Sequence, residues 1–222
     1  MNRVIVIAPH PDDETLGCGG TILRHIARRD EVHWLIVTSM TEEAGYSLHE
    51  IDNRAKTIRE VSTLYKFTST IELGYQTGAL ESLPRSNMIQ SLGSIFNAIK
   101  PDTLYVPFPG DVHSDHQISY SCAEVCSKTF RCPSLMKVLT YEVPSETDFS
   151  FNPTIVGFQP NTFIDIGPYL DKKIEILNCY DTEIGDSPFP RSETSVRALA
   201  TTRGSMVGRV AAEAFMTLRD IS

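Results

Sequence analysis

Two short segments of the chain concentrate residue types that do chemistry. The first, Ala8-Pro9-His10-Pro11-Asp12-Asp13-Glu14, sets one histidine and three acids between and just after two prolines. The prolines stiffen the backbone and remove amide donors, so the side chains are presented in a restricted geometry. The second, Pro107-Phe108-Pro109-Gly110-Asp111-Val112-His113-Ser114-Asp115-His116, holds two histidines three apart with acids before and between them. Imidazole and carboxylate without thiolate is the donor set of a catalytic metal with open positions, or of an acid/base pair. Taken singly, each segment also reads as an ordinary helix start: an acidic turn capped by Asp13 or Thr15, and a second turn capped by Ser114 or Asp115.

The elements around them decide whether the two segments meet. Residues 4–8 form a short β-branched run stopped by Pro9, which predicts a buried strand. A glycine-rich turn (Gly17, Gly19, Gly20) and a helix over 21–29 follow. Strands are predicted over 32–38, 69–73, 103–107, 136–143 and 162–166, and helices over 51–65, 88–99, 118–129 and 169–180. Residues 192–219 read as mostly helical. From 144 to 160 the pattern fades into prolines, serines and threonines, as in a long surface loop or lid. The alternation predicts a single α/β domain over 1–222, a Rossmann-like, mostly parallel sheet with helices on both faces. In the usual strand order of such sheets, strands one and four are neighbours, and ligands bind at their carboxyl ends. Both segments follow those two ends, so they are expected to face each other across one crevice.

Metal-assisted hydrolysis of a carbonyl or phosphoryl bond is the chemistry this crevice implies. A two-histidine, one-carboxylate iron oxygenase uses the same ligand set, though the additional Asp12 and His113 suit hydrolysis better. A dinucleotide fold is disfavoured, because Gly17-Cys18-Gly19-Gly20 comes nine residues after the strand and the residues between are acidic. Cys122, Cys126 and Cys132 raise a second metal site, but buried helix cysteines are the simpler account. His25, His33 and His49 are isolated and read as ordinary core or surface positions.

Composition narrows the class further. The chain has 222 residues, with 20 Lys plus Arg against 28 Asp plus Glu and a formal net charge of -8. That balance speaks against general nucleic-acid binding and against docking on an anionic membrane. Five cysteines without a Cys-x-x-Cys pair predict no disulfide framework, and no apolar run approaches a membrane span. The expectation is a soluble cytoplasmic protein.

Pro9-His10-Pro11-Asp12-Asp13-Glu14, followed about a hundred residues later by Asp111-Val112-His113-Ser114-Asp115-His116, resembles the LmbE-like (PIG-L) de-N-acetylases. Lys100-Pro101-Asp102, Tyr141-Glu142-Val143-Pro144 and Ala212-Glu213-Ala214-Phe215 extend the likeness over most of the chain. The resemblance implies Zn2+, or another divalent ion such as Fe2+, held by His10, Asp13 and His116. It implies Asp12 as general base, His113 as oxyanion donor or acid toward the leaving amine, and Asp115 as the group that orients and charges His113. Glu14 would support the metal shell or cap the helix. Arg54 falls where the family often has a substrate-contacting arginine, although the acid usual three residues later is Thr57 here. The implied substrate is an N-acetylglucosaminyl conjugate, and the implied assembly a homo-trimer or hexamer. Tyr46, Tyr75, Gln76 and Phe108 are candidates for contacting a sugar ring. A catalytically silent glycan- or nucleotide-binding protein on the same fold is the alternative from another class.

Overall fold

The computed structural model describes residues 1–222 except 152, 153 and 155. Its elements run β1 (Arg3–Ala8), α1 (Asp13–Ala27), β2 (Glu31–Ser39), α2 (Leu48–Tyr65), β3 (Ser69–Gln76), α3 (Arg85–Ile99), β4 (Thr103–Pro107), α4 (Ser114–Cys126), β5 (Lys137–Tyr141), β6 (Thr162–Asp165), α5 (Leu170–Leu177), α6 (Glu193–Ser205) and β7 (Ala212–Asp220). The strands make one seven-stranded sheet in the order β3-β2-β1-β4-β5-β7-β6. β1 pairs in parallel with β2 and β4, and β2 with β3 and β4 with β5 likewise; β7 is antiparallel to β5 and β6.

β1 shows why its sequence is almost wholly apolar. Its alternate residues Val4, Val6 and Ala8 pack into one core with α1, α2, α5 and α6, while Ile5 and Ile7 pack into a second core with α3 and α4. A central parallel strand is covered on both faces, so neither set of alternating positions can be polar. The second core also takes Cys122, Cys126 and Cys132, which are free thiols packed as small apolar groups.

Two sequence expectations are corrected here. Residues 192–219 are not mostly helical: α6 ends at Ser205, and Ala212–Asp220 is a strand inserted between β5 and β6. Ala-Glu-Ala-Phe-Met is rich in helix formers, but burial in the sheet outweighs that preference. The glycine-rich stretch is not a turn, since α1 begins at Asp13 and runs through all three glycines. They are there for close approach. A Cβ on Gly17 would stand 2.2 Å from Tyr141 Cδ2, and one on Gly20 2.6 Å from Ile166 Cβ.

The 144–160 segment is anchored at its start. Val112 N–H donates to the Glu146 carbonyl (3.1 Å) and the Thr147 hydroxyl to Asp111 Oδ1 (2.6 Å), while Phe158 packs edge-on against Phe108. The expectation of a loop or lid at 152, 153 and 155 lies outside the described residues.

Candidate metal centre and active site

The first loop is built by short-range hydrogen bonds. Asp12 and Asp13 amides donate back to the His10 carbonyl, and the His10 amide donates to Asp13 Oδ2 at 2.8 Å. Thr38, at the end of β2, reaches the Pro9 carbonyl through both its amide (3.0 Å) and its hydroxyl (2.8 Å). The loop is thus tied to the neighbouring strand. The second loop leads into α4, whose N-cap is His113 rather than Ser114 or Asp115: its Nδ1 accepts the Asp115 amide at 3.1 Å. Because β1 and β4 are adjacent and parallel, the two loops leave the sheet at one end, and the predicted crevice is present.

At its floor, ligand atoms of His10, Asp13 and His116 lie within 4.8 Å of one another, as do those of His10, His113 and Asp115. His116 Nδ1 is held by Asp111 Oδ2 at 2.8 Å, and His10 Nε2 by Asp115 Oδ2 at 3.1 Å. Each of these imidazoles therefore has one nitrogen fixed by a carboxylate. The other nitrogen faces Asp13: His10 Nδ1 is 3.5 Å and His116 Nε2 3.3 Å from Asp13 Oδ2. His116 Nε2 is buried and makes no hydrogen bond there. Carboxylate-oriented imidazoles converging on a further carboxylate are the supporting arrangement of metal-binding histidines. The residues present fit a divalent cation.

The electrostatics agree. Burial works against charge on His10, yet Asp115 and Asp13 hold its pKa up at about 9. His116 is raised well above the ordinary histidine value against its own burial, by Asp13 and Asp111. Asp13 is pulled well below the usual carboxylate range by His116 and His10 despite its burial. A divalent cation at this point would compete with protons for these donors.

Asp12 does not join that triad. Burial and the Asp13 charge push its pKa to about 6, opposed by Arg191, whose Nη1 donates to Asp12 Oδ2 at 3.0 Å. His113 is the opposite of its histidine neighbours: burial and the charges of His10 and His116 lower it to about 4, so its imidazole is neutral at pH 7. With Nδ1 accepting a backbone amide, the proton sits on Nε2. The Asp115 carboxylate goes to His10 and to the amides of Gly78 (2.7 Å) and Leu80 (3.3 Å), not to His113. Asp115 reaches His113 through its backbone amide, and its charge raises the His113 pKa against burial. Glu14 neither caps α1 nor reaches the centre. It is fully buried, accepts from Thr15 Oγ1 (2.6 Å) and Tyr180 OH (2.7 Å), and burial pushes it to about 8.

The cavity over these residues encloses about 190 Å3. Tyr46 and Arg54 line it, as does Glu146. Arg54 Nη1 donates to the Pro11 carbonyl at 2.9 Å and its other Nη pairs with Glu183. Tyr75, Gln76 and Phe108 are not on its wall: Tyr75 bonds Ser91 (3.2 Å) within the second core, and Phe108 is buried against Phe158. Three residues of the site carry no local signal in the sequence. Arg191, Glu183 and Glu146 come from irregular segments, and only the fold brings them to this cavity. Asp111 was visible inside the second segment, where its position before a ligand histidine is the available cue.

A family model described as GlcNAc-PI de-N-acetylase (PIG-L) matches residues 5–127. The chain is 29% identical over 157 residues to the uncharacterized deacetylase YaiS of Escherichia coli, covering 68% of this chain and 79% of that one. It is 24% identical over 229 residues to a diacetylchitobiose deacetylase of Thermococcus kodakarensis, covering 96% and 82%. Among solved structures, the conserved protein TT1542 of Thermus thermophilus superposes with a TM-score of 0.78 at 22% identity, over 100% of this chain and 97% of that one.

Proposed function

The chain belongs to the PIG-L family of de-N-acetylases, and from that premise we propose that it is a zinc-dependent hydrolase removing the acetyl group from an N-acetylated amino sugar. One observation carries the reading. The buried convergence of His10, Asp13 and His116 lies in the same cavity as a carboxylate and a neutral histidine that are free for proton chemistry. A diacetylchitobiose deacetylase aligned over nearly the whole chain supports the substrate class.

His10, Asp13 and His116 would hold the metal, which when bound lowers the pKa of water toward about 7 and polarises a carbonyl. Asp12, ionised above about pH 6, takes a proton from the attacking water. The water oxygen bonds to the acetamide carbon as the carbonyl π electrons move to oxygen. His113 Nε2–H donates to that developing oxyanion without giving up its proton, which its low basicity favours. When the C–N bond breaks, the proton held by Asp12 passes to nitrogen, and the free amine leaves with acetic acid, which gives its remaining proton to solvent as acetate. The Asp115 carboxylate keeps His10 in place and adds negative charge near His113. Arg54, Tyr46 and Glu146 supply donors and acceptors for sugar hydroxyls. A cytoplasmic setting and a trimeric or hexameric assembly belong to the same reading, the latter checked by analytical ultracentrifugation.

The test is acetate release by zinc-loaded protein from N-acetylglucosamine, diacetylchitobiose and N-acetylglucosaminyl conjugates of malate and inositol. Acetate from one or more of these, abolished by chelation, is expected. Asp12→Asn should keep its metal and lose about 10²–10⁴ in rate. Normal turnover by that variant would overturn the base assignment. Glycan binding without acetate from any amide would favour the silent binding protein, and oxygen consumption with an iron-loaded protein the oxygenase.

A further inference from the structure

At the other end of the sheet from the metal centre lies a second, larger cavity of about 620 Å3. It is framed by the last turns of α1, the beginnings of β4 and β5, β6 and residues 207–209. Four cationic side chains line it, Arg24, Arg28, Lys137 and Arg209, against one lining carboxylate, Asp165. Their internal partners are few. Arg209 Nε is 3.4 Å from Asp165 Oδ2, Arg24 Nη1 donates to the Asp165 backbone carbonyl (3.0 Å), and Lys137 pairs with Asp220 (3.1 Å). The Arg28 guanidinium has no ion pair or hydrogen bond among the described residues.

Cations near the carboxyl end of a helix complement its dipole, which accounts for Arg24 and Arg28. It does not account for Lys137 and Arg209, which arrive from other elements to the same space. Like charges gathered in one cavity repel, and in a chain of net charge -8 their gathering is not a general excess of base. A second observation is independent of charge. Thr21 lines the cavity, is 1% exposed, and its Oγ1 has no hydrogen-bond partner. A buried hydroxyl donor without an acceptor is costly unless a ligand supplies one.

We propose that this cavity is a binding site for a small organic phosphate monoester. Arginine forks match phosphate oxygens bidentately, which favours phosphate over a halide or a lone carboxylate. The volume lies in the range of about 300–1,000 Å3 typical of small-molecule pockets and leaves room beyond one phosphate group. Phe163 and Val207 give an apolar wall for the remainder of the molecule.

Isothermal titration of the zinc-loaded chain with 1-naphthyl phosphate, 1-naphthol and inorganic phosphate tests this. Saturable binding of the ester is expected, at least tenfold tighter than either inorganic phosphate or naphthol. Arg24→Gln and Arg28→Glu should each weaken it tenfold or more. Arg28 is exposed and unpaired, so Arg28→Glu should lower the melting temperature by no more than the small loss of a charge–dipole contact at the end of α1. Ester binding unchanged in both variants, no saturable binding, or inorganic phosphate binding as tightly as the ester would each overturn the proposal. So would dissociation of an oligomer by Arg28→Glu, which would make the face an interface between copies.

Discussion

Replacing Glu213 by glutamine strikes the helix that carries Asp13 from a strand of the same sheet. The Glu213 carboxylate, 5% exposed, accepts from the amides of Gly20 (2.8 Å) and Thr21 (2.7 Å) and from Lys173 Nζ (2.8 Å). Lys173, 3% exposed, also donates to the Leu16 carbonyl at 2.8 Å. The ion pair therefore clasps α1 at the very groups, Gly20 N–H and Leu16 C=O, that a plain helix would pair with each other. Glutamine retains one acceptor oxygen but turns the other position into a donor that faces donors, and it leaves the Lys173 charge with one neutral partner. Breaking one side of a buried pair costs about 3–5 kcal/mol. Against a total stability of about 5–15 kcal/mol, that is a large fraction. With a urea slope near 2 kcal/mol/M, the unfolding midpoint should fall by about 1.5–2.5 M. Fluorescence of Trp34, the single tryptophan and fully buried, reports the transition. The double variant Glu213→Gln/Lys173→Met removes the stranded charge and should recover part of the loss. A midpoint shift under about 0.5 M in Glu213→Gln would refute the reasoning, and a double variant no better than the single would show that charge pairing is not its origin.

Asp111→Asn should lower metal affinity by about 10–100-fold, because Asp111 orients His116; unchanged affinity in a chelator competition would refute it. Gly17→Ala should destabilise by about 1–3 kcal/mol, although alanine is the better helix former, since the new Cβ meets the ring of Tyr141; a stabilised variant would show that the ring can yield. Burial lowers the pKa values of His33 and His25 in the folded state. Their contribution is thus fully present above the unfolded value of about 6.5 and is lost as pH falls below it. Asp12 and Glu14, raised by burial, titrate in the opposite sense, so the difference between His33→Gln and the parent isolates the histidine. The variant's melting temperature should fall less between pH 7 and pH 5, and parallel curves would refute this.

The centre was legible where chemistry is local. His10, Asp12, Asp13, His113 and His116 sit in two short segments, and strands one and four are apolar enough to announce themselves, so their meeting follows from topology. Arg191 was not legible, because an arginine in an irregular stretch says nothing until the fold brings that stretch against Asp12. Ala212–Asp220 was misread for a related reason. Its side chains favour a helix, and only the open sheet edges between β5 and β6 make it a strand. The glycines of α1 were noticed but misplaced, since what Gly17 and Gly20 avoid is Tyr141 and Ile166, residues more than a hundred positions away.

The Lys173–Glu213 clasp also has a meaning in time. Glu213 lies 193 positions after Gly20, whose amide it receives. A ribosome delivers the glycine helix long before the carboxylate that clasps it, which emerges only with β7. The clasp thus joins α1 to a strand far along the chain, and α1 is held by Glu213 only once β7 has slotted between β5 and β6.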